Sequence, residues 1–545
     1  MTFVSRALAG FAVLLFLSAA LGAQPPASDP SFSGSLDVQE AEVEVLVTDR
    51  DGKPVPGLTR EDFRVLEDGR PVEIASVSST ADQPIVLAVF LDETSLVGPA
   101  RASALGGLRR FFASSLRPGD RALLVRWDGS LEIHGEPTGD AAALAATLDT
   151  LGRAPVVGAA AAQERGAMQR EISDIPTLDD ETGRLFAIAR AKAVYAQLRA
   201  YAQNRADTTR ATLGALQQTL ALLSSLPERK ALLYVGGGIP LRPAAELFDA
   251  WTTKFSQIAA EVGASPFEAS RWDASPLVQQ TVDRANAAAI TLHALALPAS
   301  GTVNAADRQA TGTRAGGDAE DATRAVRNLA DGTGGRVTTD VQNPSSFLEG
   351  TGRDVAGAYS LGYTPSSGSS GKNGRHKIEV TVRGGALAAR YREERLDGGA
   401  VNPLLRRAMA ALWAGVAGAN NPLKAELSIE EEAREDDGRY RVTAVVALPL
   451  AGVLVQPQEN FHVAHLTVAV AARDGKGRIS GLPHADFPVE IPNDHLLSAP
   501  GQSAGYRFTL HLAAGDSVVA VALRDDMGGA ESVLRIALTP GAAKN

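Results

Sequence analysis

The 545 residues contain no cysteine. This excludes disulfides, thiol catalysis, Cys-ligated zinc, iron–sulfur clusters and a lipid-modified N-terminal Cys, and leaves core burial to stabilise the fold. Cationic residues are in deficit, with Lys+Arg 53 against Asp+Glu 63 and a formal net charge of -10. A general nucleic-acid binder would carry a basic stripe instead. Past the N-terminal segment, no stretch is apolar over the ~20 residues that a membrane-spanning helix requires. Catalytic signatures are equally sparse. No Gly-x-Ser-x-Gly elbow closes a strand pattern. The glycines at 236–238 lack the Lys-Ser/Thr of a phosphate loop. The acidic run at 430–437 lacks the alternating ligands and turn glycine of a calcium loop. His462 and His465 lie three apart on an expected strand, so they face opposite sides. His134, His293 and His511 fall inside strand patterns and read as packed or edge residues.

Hydrophobic residues make up 45% and charged residues 21%, an ordinary globular balance. The length suffices for three or four domains. Residues 1–23 read as a secretory signal: Arg6 supplies the positive charge, residues 7–20 a short apolar run, and Gly22 with Ala23 a small-residue cleavage site. Cleavage would leave no membrane span and an extracytoplasmic protein, periplasmic or secreted. Residues 24–37 are rich in Pro, Ser and Gly and read as a disordered linker.

Periodicity then divides the chain. Residues 38–82 alternate, with Val43, Val45 and Val47 on one side, and are expected to form the first part of a β-sandwich. Residues 83–355 alternate continuous apolar runs with helical stripes. The runs at 85–91 (IVLAVFL), 121–127 (RALLVRW), 230–235 (KALLYV) and 290–297 (ITLHALAL) have the character of strands buried on both faces of a parallel sheet. Strands alternating with helices imply a doubly wound α/β domain. Helices are expected over 185–205 and 209–226, an irregular insertion over 152–182 and a mobile loop over 298–320. Residues 356–395 return to β as the second part of the sandwich. Residues 396–545 read as a short helix followed by about eight alternating strands, a C-terminal β-sandwich. The fold class is therefore α/β plus all-β. One motif occurs twice: Arg50-Asp51-Gly52-Lys53 followed by Asp62-Phe63 and Val65, then Arg473-Asp474-Gly475-Lys476 followed by Asp486-Phe487 and Val489. Both copies read as a strand–turn–strand unit.

Residues 43–74 (VEVLVTDRDGKPVPGLTREDFRVLEDGRPVEI), 229–238, 329–337 (LADGTGGRV) and 358–365 (AYSLGYTP) resemble motifs of the acidobacterial-type von Willebrand factor A-related domain family. The resemblance covers roughly residues 40–395. It implies an exported protein with a von Willebrand A-like α/β domain, no known enzymatic activity and a role in binding other proteins. The strands that bracket this domain are expected to pair into one β-sandwich, with the domain inserted between them.

The resemblance also implies a Mg²⁺ site of the form Asp-x-Ser-x-Ser, with a later Thr and a further Asp at a strand end. Such a hard cation takes about six oxygen ligands and leaves a position for a partner's carboxylate. Here Asp92 stands in the Asp position and Thr94 in the first Ser position. Leu96 falls on the second Ser and offers no oxygen, while Ser95 substitutes only if the loop shifts by one residue. Thr208, Thr209 and Thr212 are alternatives for the later Thr. The strand-end Asp is replaced by Gly236-Gly237. The expectation is a degenerate metal site at Asp92, Thr94 and Ser95, with no cofactor required and Mg²⁺ as an option. The leading functional expectation is an exported, non-enzymatic protein-binding or scaffold protein. Its protein partner would dock near Glu93 and Gly237, where open α/β sheets present their crevice. Mg²⁺-dependent adhesion through Asp92 and Thr94 is one alternative, and an undetected extracytoplasmic hydrolase is another.

Overall fold

The computed structural model describes residues 41–81, 83–176, 184–224, 226, 228–265, 267–297, 317–339, 344–365, 374–384, 387–396, 403–412, 421–475 and 479–541. The expected leader and linker lie outside the described residues, as do 177–182 of the expected insertion and 298–316 of the expected loop. In chain order the elements begin with β1 (Ala41–Thr48), β2 (Phe63–Glu67), β3 (Arg70–Val72) and β4 (Ile74–Ser79). The central part follows: β5 (Ile85–Asp92), α1 (Gly98–Ser115), β6 (Arg121–Trp127), β7 (Leu131–Thr138), α2 (Ala141–Arg153), α3 (Gly158–Asp174), α4 (Arg184–Ser224) and β8 (Arg229–Gly236). It continues through α5 (Ala245–Lys254), α6 (Ala259–Val262), α7 (Ser275–Ala287), β9 (Ile290–Ala296), α8 (Gly317–Asp331), β10 (Val337–Thr338) and α9 (Pro344–Ala356). Then come β11 (Ala358–Tyr363), β12 (Arg375–Val382), β13 (Ala388–Tyr391), β14 (Glu394–Leu396) and α10 (Pro403–Ala411). The C-terminal strands are β15 (Glu426–Arg434), β16 (Tyr440–Pro449), β17 (Gln456–Pro457), β18 (Phe461–Arg473), β19 (Ile479–Pro492), β20 (Ser503–Leu512), β21 (Ser517–Asp525) and β22 (Glu531–Leu538).

The apolar runs assemble into a six-stranded sheet ordered β10-β9-β8-β5-β6-β7. All neighbours are parallel except the edge pair β6–β7. Every residue of β5 is buried because helices cover both faces. Val86, Ala88 and Phe90 pack with Leu213 and Leu216 of α4, Val278 of α7 and Leu329 of α8. Leu87, Val89 and Leu91 pack with Leu108 of α1, Leu148 of α2 and Leu348 of α9.

The strands before and after this region pair with each other. β1 lies antiparallel to β11, Val45 opposite Tyr359, and β2 lies antiparallel to β12, Val65 opposite Val380. The two sheets, β13-β1-β11-β4 and β14-β12-β2-β3, share one core of Val43, Val45, Phe63, Val65, Leu361 and Ile378. The Tyr359 hydroxyl donates to Val55 O (2.7 Å) and accepts from Leu58 N–H (3.1 Å), tying the first long loop to that core.

The C-terminal part is β-rich. Sheet β15-β16-β20 faces a larger sheet of β17, β18, β21 and β22, with β19 on β18, over the core of Val446, Leu466, Val468, Val519 and Val521. β18 and β21 are buried on both faces, and Val468, Val470, Val519 and Val521 turn to this core. Ala469, Ala471, Ala520 and Ala522 instead turn to Leu404 and Met409 of α10 and the helices behind it. The small alanine side chains let the helix approach the sheet closely.

Three expectations are corrected. Residues 158–174 of the expected irregular insertion are helix α3, an Ala/Gln/Glu-rich stretch of high helix propensity. The two expected helices at 185–205 and 209–226 are one 41-residue helix, α4, about 60 Å long, since no Gly or Pro separates them. Residues 317–320 of the expected mobile loop already belong to α8.

Candidate functional site

The loop after β5 starts at the C-terminal edge of the central sheet. Asp92 ends the strand 1% exposed. Its carboxylate is fully engaged. Oδ1 accepts from Thr94 N–H (3.1 Å) and Thr94 Oγ1 (2.6 Å); Oδ2 accepts from Ser95 Oγ (2.7 Å) and Tyr234 OH (2.8 Å). The first of these bonds closes an Asx-turn, which is why Asp precedes Thr by two residues here. Ser95 Oγ in turn accepts from Gly237 N–H at 2.8 Å, so the β5 loop is stitched to the β8 loop.

Tyr234 reaches this site from the adjacent strand, its ring stacked on Phe90 with centroids 6.2 Å apart. Its hydroxyl bends back over Gly236, where a Cβ would lie 2.3 Å from Tyr234 OH; at Gly237 a Cβ would meet Ser95 O at 2.3 Å. The glycines after Tyr234 therefore make room for the hydroxyl and the Ser95 backbone. Burial pushes the Asp92 carboxyl above its ordinary value, opposed by the hydrogen bonds from Thr94, Ser95 and Tyr234. Burial, followed by the adjacent Asp92, pushes the Tyr234 hydroxyl well above its own.

Glu93 turns the other way, wholly buried, and forms a bidentate pair with Arg101 of α1 (Nε–Oε2 2.6 Å, Nη2–Oε1 2.9 Å). Arg101 also donates to Leu151 O at the end of α2 (2.6 Å). Above this loop sits a helical layer. The start of α3 packs so closely that a Cβ at Gly158 would meet Leu96 O at 2.2 Å. α3, the first half of α4, and α5 share their own core of Ile172, Val194, Tyr195, Phe248 and Trp251. The crevice that open α/β sheets usually leave at this end is thus occupied by protein.

The structure brings Asp92, Thr94, Ser95 and Gly237 together as one hydrogen-bonded unit. It places Glu93 where no surface is left to offer a partner, a correction to its expected position at the docking face. Of the candidate threonines, Thr212 accepts from Trp127 Nε1 (3.0 Å) and Thr208 bonds Asn204 O (3.1 Å); neither is a partner of Asp92. The oxygens gathered here come from one carboxylate, Asp92, and the Thr94 and Ser95 hydroxyls, with none from Leu96, a donor set poorer than the two-carboxylate pattern that Mg²⁺ would take. In this structure both Asp92 oxygens are engaged by hydrogen bonds. Among the described residues, no three His, Cys, Asp or Glu side chains converge as a metal cluster. Sequence reasoning missed Tyr234, because a Tyr within KALLYV reads as core; the three glycines after it were the available signal.

No known family profile matches the chain, and no curated protein matches its sequence. Solved structures give distant likenesses. An aerotolerance-related membrane protein from Bacteroides fragilis aligns at 10% identity over 50% of this chain and 98% of its own, with a TM-score of 0.23. The pilus adhesin SpaC from Lactobacillus rhamnosus GG aligns at 8% identity over 86% of this chain and 57% of its own, TM-score 0.27. The N-terminal domains of a type V pili tip protein from Porphyromonas gingivalis align at 9% over 92% and 77%, TM-score 0.26. At such scores none of the three establishes a shared fold. Among the described residues, no helix is long and apolar enough to cross a membrane.

Proposed function

We propose that this chain is an exported, non-enzymatic protein-binding or scaffold protein. Its central unit, residues 83–355, is a von Willebrand A-like domain set between the two parts of the first sandwich, with a degenerate metal site. The observation that carries this reading is the Asp92 carboxylate saturated by Thr94, Ser95 and Tyr234. A ligand loop stitched this way acts as a structural clasp between β5 and β8 and holds the surrounding surface rigid for a partner. With Glu93 buried, the accessible residues at this end of the sheet include Gly98, Pro99 and Arg242, and partner recognition is assigned to that surface.

Two measurements test the reading. Calorimetric titration with Mg²⁺ and Mn²⁺ should give no saturable heat. Partner capture from an extracytoplasmic fraction should persist in EDTA and in the Asp92→Asn protein, and fall with Pro99→Arg or Arg242→Glu. A saturable heat lost in Asp92→Asn, with capture abolished by EDTA, would replace this reading by Mg²⁺-dependent adhesion through Asp92 and Thr94.

A further inference from the structure

The opposite edge of the central sheet, where β8 and β9 begin, is built differently. There β1 and β13 of the first sandwich, the starts of β5, β8 and β9, and the end of α9 line a partly open cavity of about 40 Å³, room for roughly three water molecules. Its lining carries four cationic side chains, Arg229, Lys230, Arg390 and Arg392, against two carboxylates, Glu44 and Asp354. Both carboxylates are already taken. Glu44 pairs with Arg229, and Asp354 Oδ2 receives Arg390 Nη2 (2.5 Å) and Arg336 Nη1 (3.1 Å). Neither Lys230 nor Arg392 has an ion-pair partner among the described residues. Lys230 Nζ makes one hydrogen bond, to Leu226 O (3.0 Å), and Arg392 Nη1 makes a long one, to Asn286 O (3.4 Å).

His293 completes the wall, 2% exposed. Its Nδ1 accepts the Arg336 backbone N–H at 3.2 Å. The ring proton therefore sits on Nε2, and Nε2 is a buried donor with no hydrogen-bond partner. Burial, then Arg390 and Arg336, push this imidazole down to about 3. Burial, then Arg406 and Arg392, push the Lys230 ammonium down as well, with Glu228 and Glu42 opposing. Both departures are led by burial, with neighbouring cations adding to it. A buried donor left unpaired costs free energy, and so do desolvated cations, here partly offset by Glu44 and Glu42 beside Arg392; one anion would relieve both.

We propose that this cavity binds a small tetrahedral oxyanion, phosphate or sulfate, held by the guanidinium of Arg392, with Lys230 and Arg390 supplying positive field and the His293 Nε2–H reaching the anion once its ring turns toward the cavity. The lining's two surplus positive charges match a dianion better than a monovalent halide. The small volume matches a free oxyanion and has no room for the nucleoside of a nucleotide. Because the wall joins β13 of the sandwich to β8 and β9 of the sheet, the bound anion cross-links the two.

The test is calorimetric titration of the whole protein with sodium phosphate, sodium sulfate, sodium chloride and ATP at fixed ionic strength, with thermal unfolding alongside. Phosphate or sulfate should give a saturable one-site heat and a raised unfolding temperature; chloride and ATP should give neither. Arg392→Met should weaken binding roughly tenfold or more, the loss of one charge-assisted hydrogen bond. His293→Phe should do the same, with circular dichroism showing that the fold persists. Arg50→Met, at a remote exposed turn, should leave binding unchanged. No saturable heat with either oxyanion, an equal response to chloride, or affinity retained in Arg392→Met would overturn the proposal.

Discussion

The two edges of the central sheet handle buried charge in opposite ways. At the C-terminal edge a single carboxylate, Asp92, meets three hydroxyls and a backbone N–H, and every acceptor position is filled. At the N-terminal edge cations outnumber carboxylates and the buried His293 Nε2–H has no partner. The expected ligand edge is thus internally satisfied, while the edge without a predicted role retains unspent donors. Strand polarity indicates where a crevice tends to open; the tally of hydrogen bonds indicates whether anything is left there for a ligand.

The contrast can be broken most severely at Glu93. Glu93→Ala strands the Arg101 guanidinium in the interior and should cost about 3–5 kcal/mol, read by urea unfolding. The double variant Glu93→Leu/Arg101→Met should recover most of that loss. A small cost for Glu93→Ala would mean that water reaches the pair and that this edge is open. Next is Asp92→Ala, which removes the common acceptor of Thr94, Ser95 and Tyr234 and should cost about 2–3 kcal/mol. Excess Mg²⁺ should not shift the unfolding temperature of the unaltered protein; a clear Mg²⁺-dependent rise would make the edge a cation site after all.

pH sharpens the same contrast. His293 stays neutral in the folded protein down to about 3, whereas the unfolded chain takes up its proton below roughly 6.5. Stability from this residue is therefore intact above that pH and lost as pH falls, by about 2 kcal/mol at pH 5. Comparing urea unfolding at pH 7 and 5 in the unaltered protein and in His293→Gln should show that increment vanish in the variant. Asp92 has the opposite sign. Its raised carboxyl keeps a proton where the unfolded chain has lost one, so its contribution declines as pH rises above the ordinary carboxylate range. The smallest effect is expected for Tyr234→Phe, which removes one hydrogen bond to a carboxylate with little change in shape. It should cost about 1–2 kcal/mol in the same unfolding assay, and a neutral result would show that Ser95 and Thr94 suffice for the clasp.

Much of the architecture was legible before any coordinates. The runs at 85–91 and 230–235 announced strands covered on both faces, and the Val43–Val45–Val47 alternation announced a strand with one face in a core. The proximity of Asp92, Thr94 and Ser95 followed from their spacing in one loop. The clasp itself was hidden, because its closing member, Tyr234, lies 142 positions from Asp92 and matches the apolar pattern around it. The cavity was hidden for the same reason: Glu44 of β1, His293 of β9 and Arg392 between β13 and β14 come from three distant segments, each unremarkable in its local pattern.

The duplicated motif marks the boundary between the two kinds of information. In both copies the sequence alone dictated an Asp-Gly turn followed by a strand bearing Phe and Val. In the first copy Gly52 supplies a positive φ of 74° in open space. β1 and β2 then part into different sheets, since both edges of β1 are taken by β11 and β13. In the second copy a Cβ at Gly475 would meet Ala514 O at 2.4 Å, and β18 and β19 pair directly as neighbours. Local chemistry sets where the chain turns and which face is apolar, because those depend on a few adjacent residues. Which edge a strand joins, and whether a buried polar group finds its partner, depends on residues hundreds of positions away, and only the packed tertiary structure decides it.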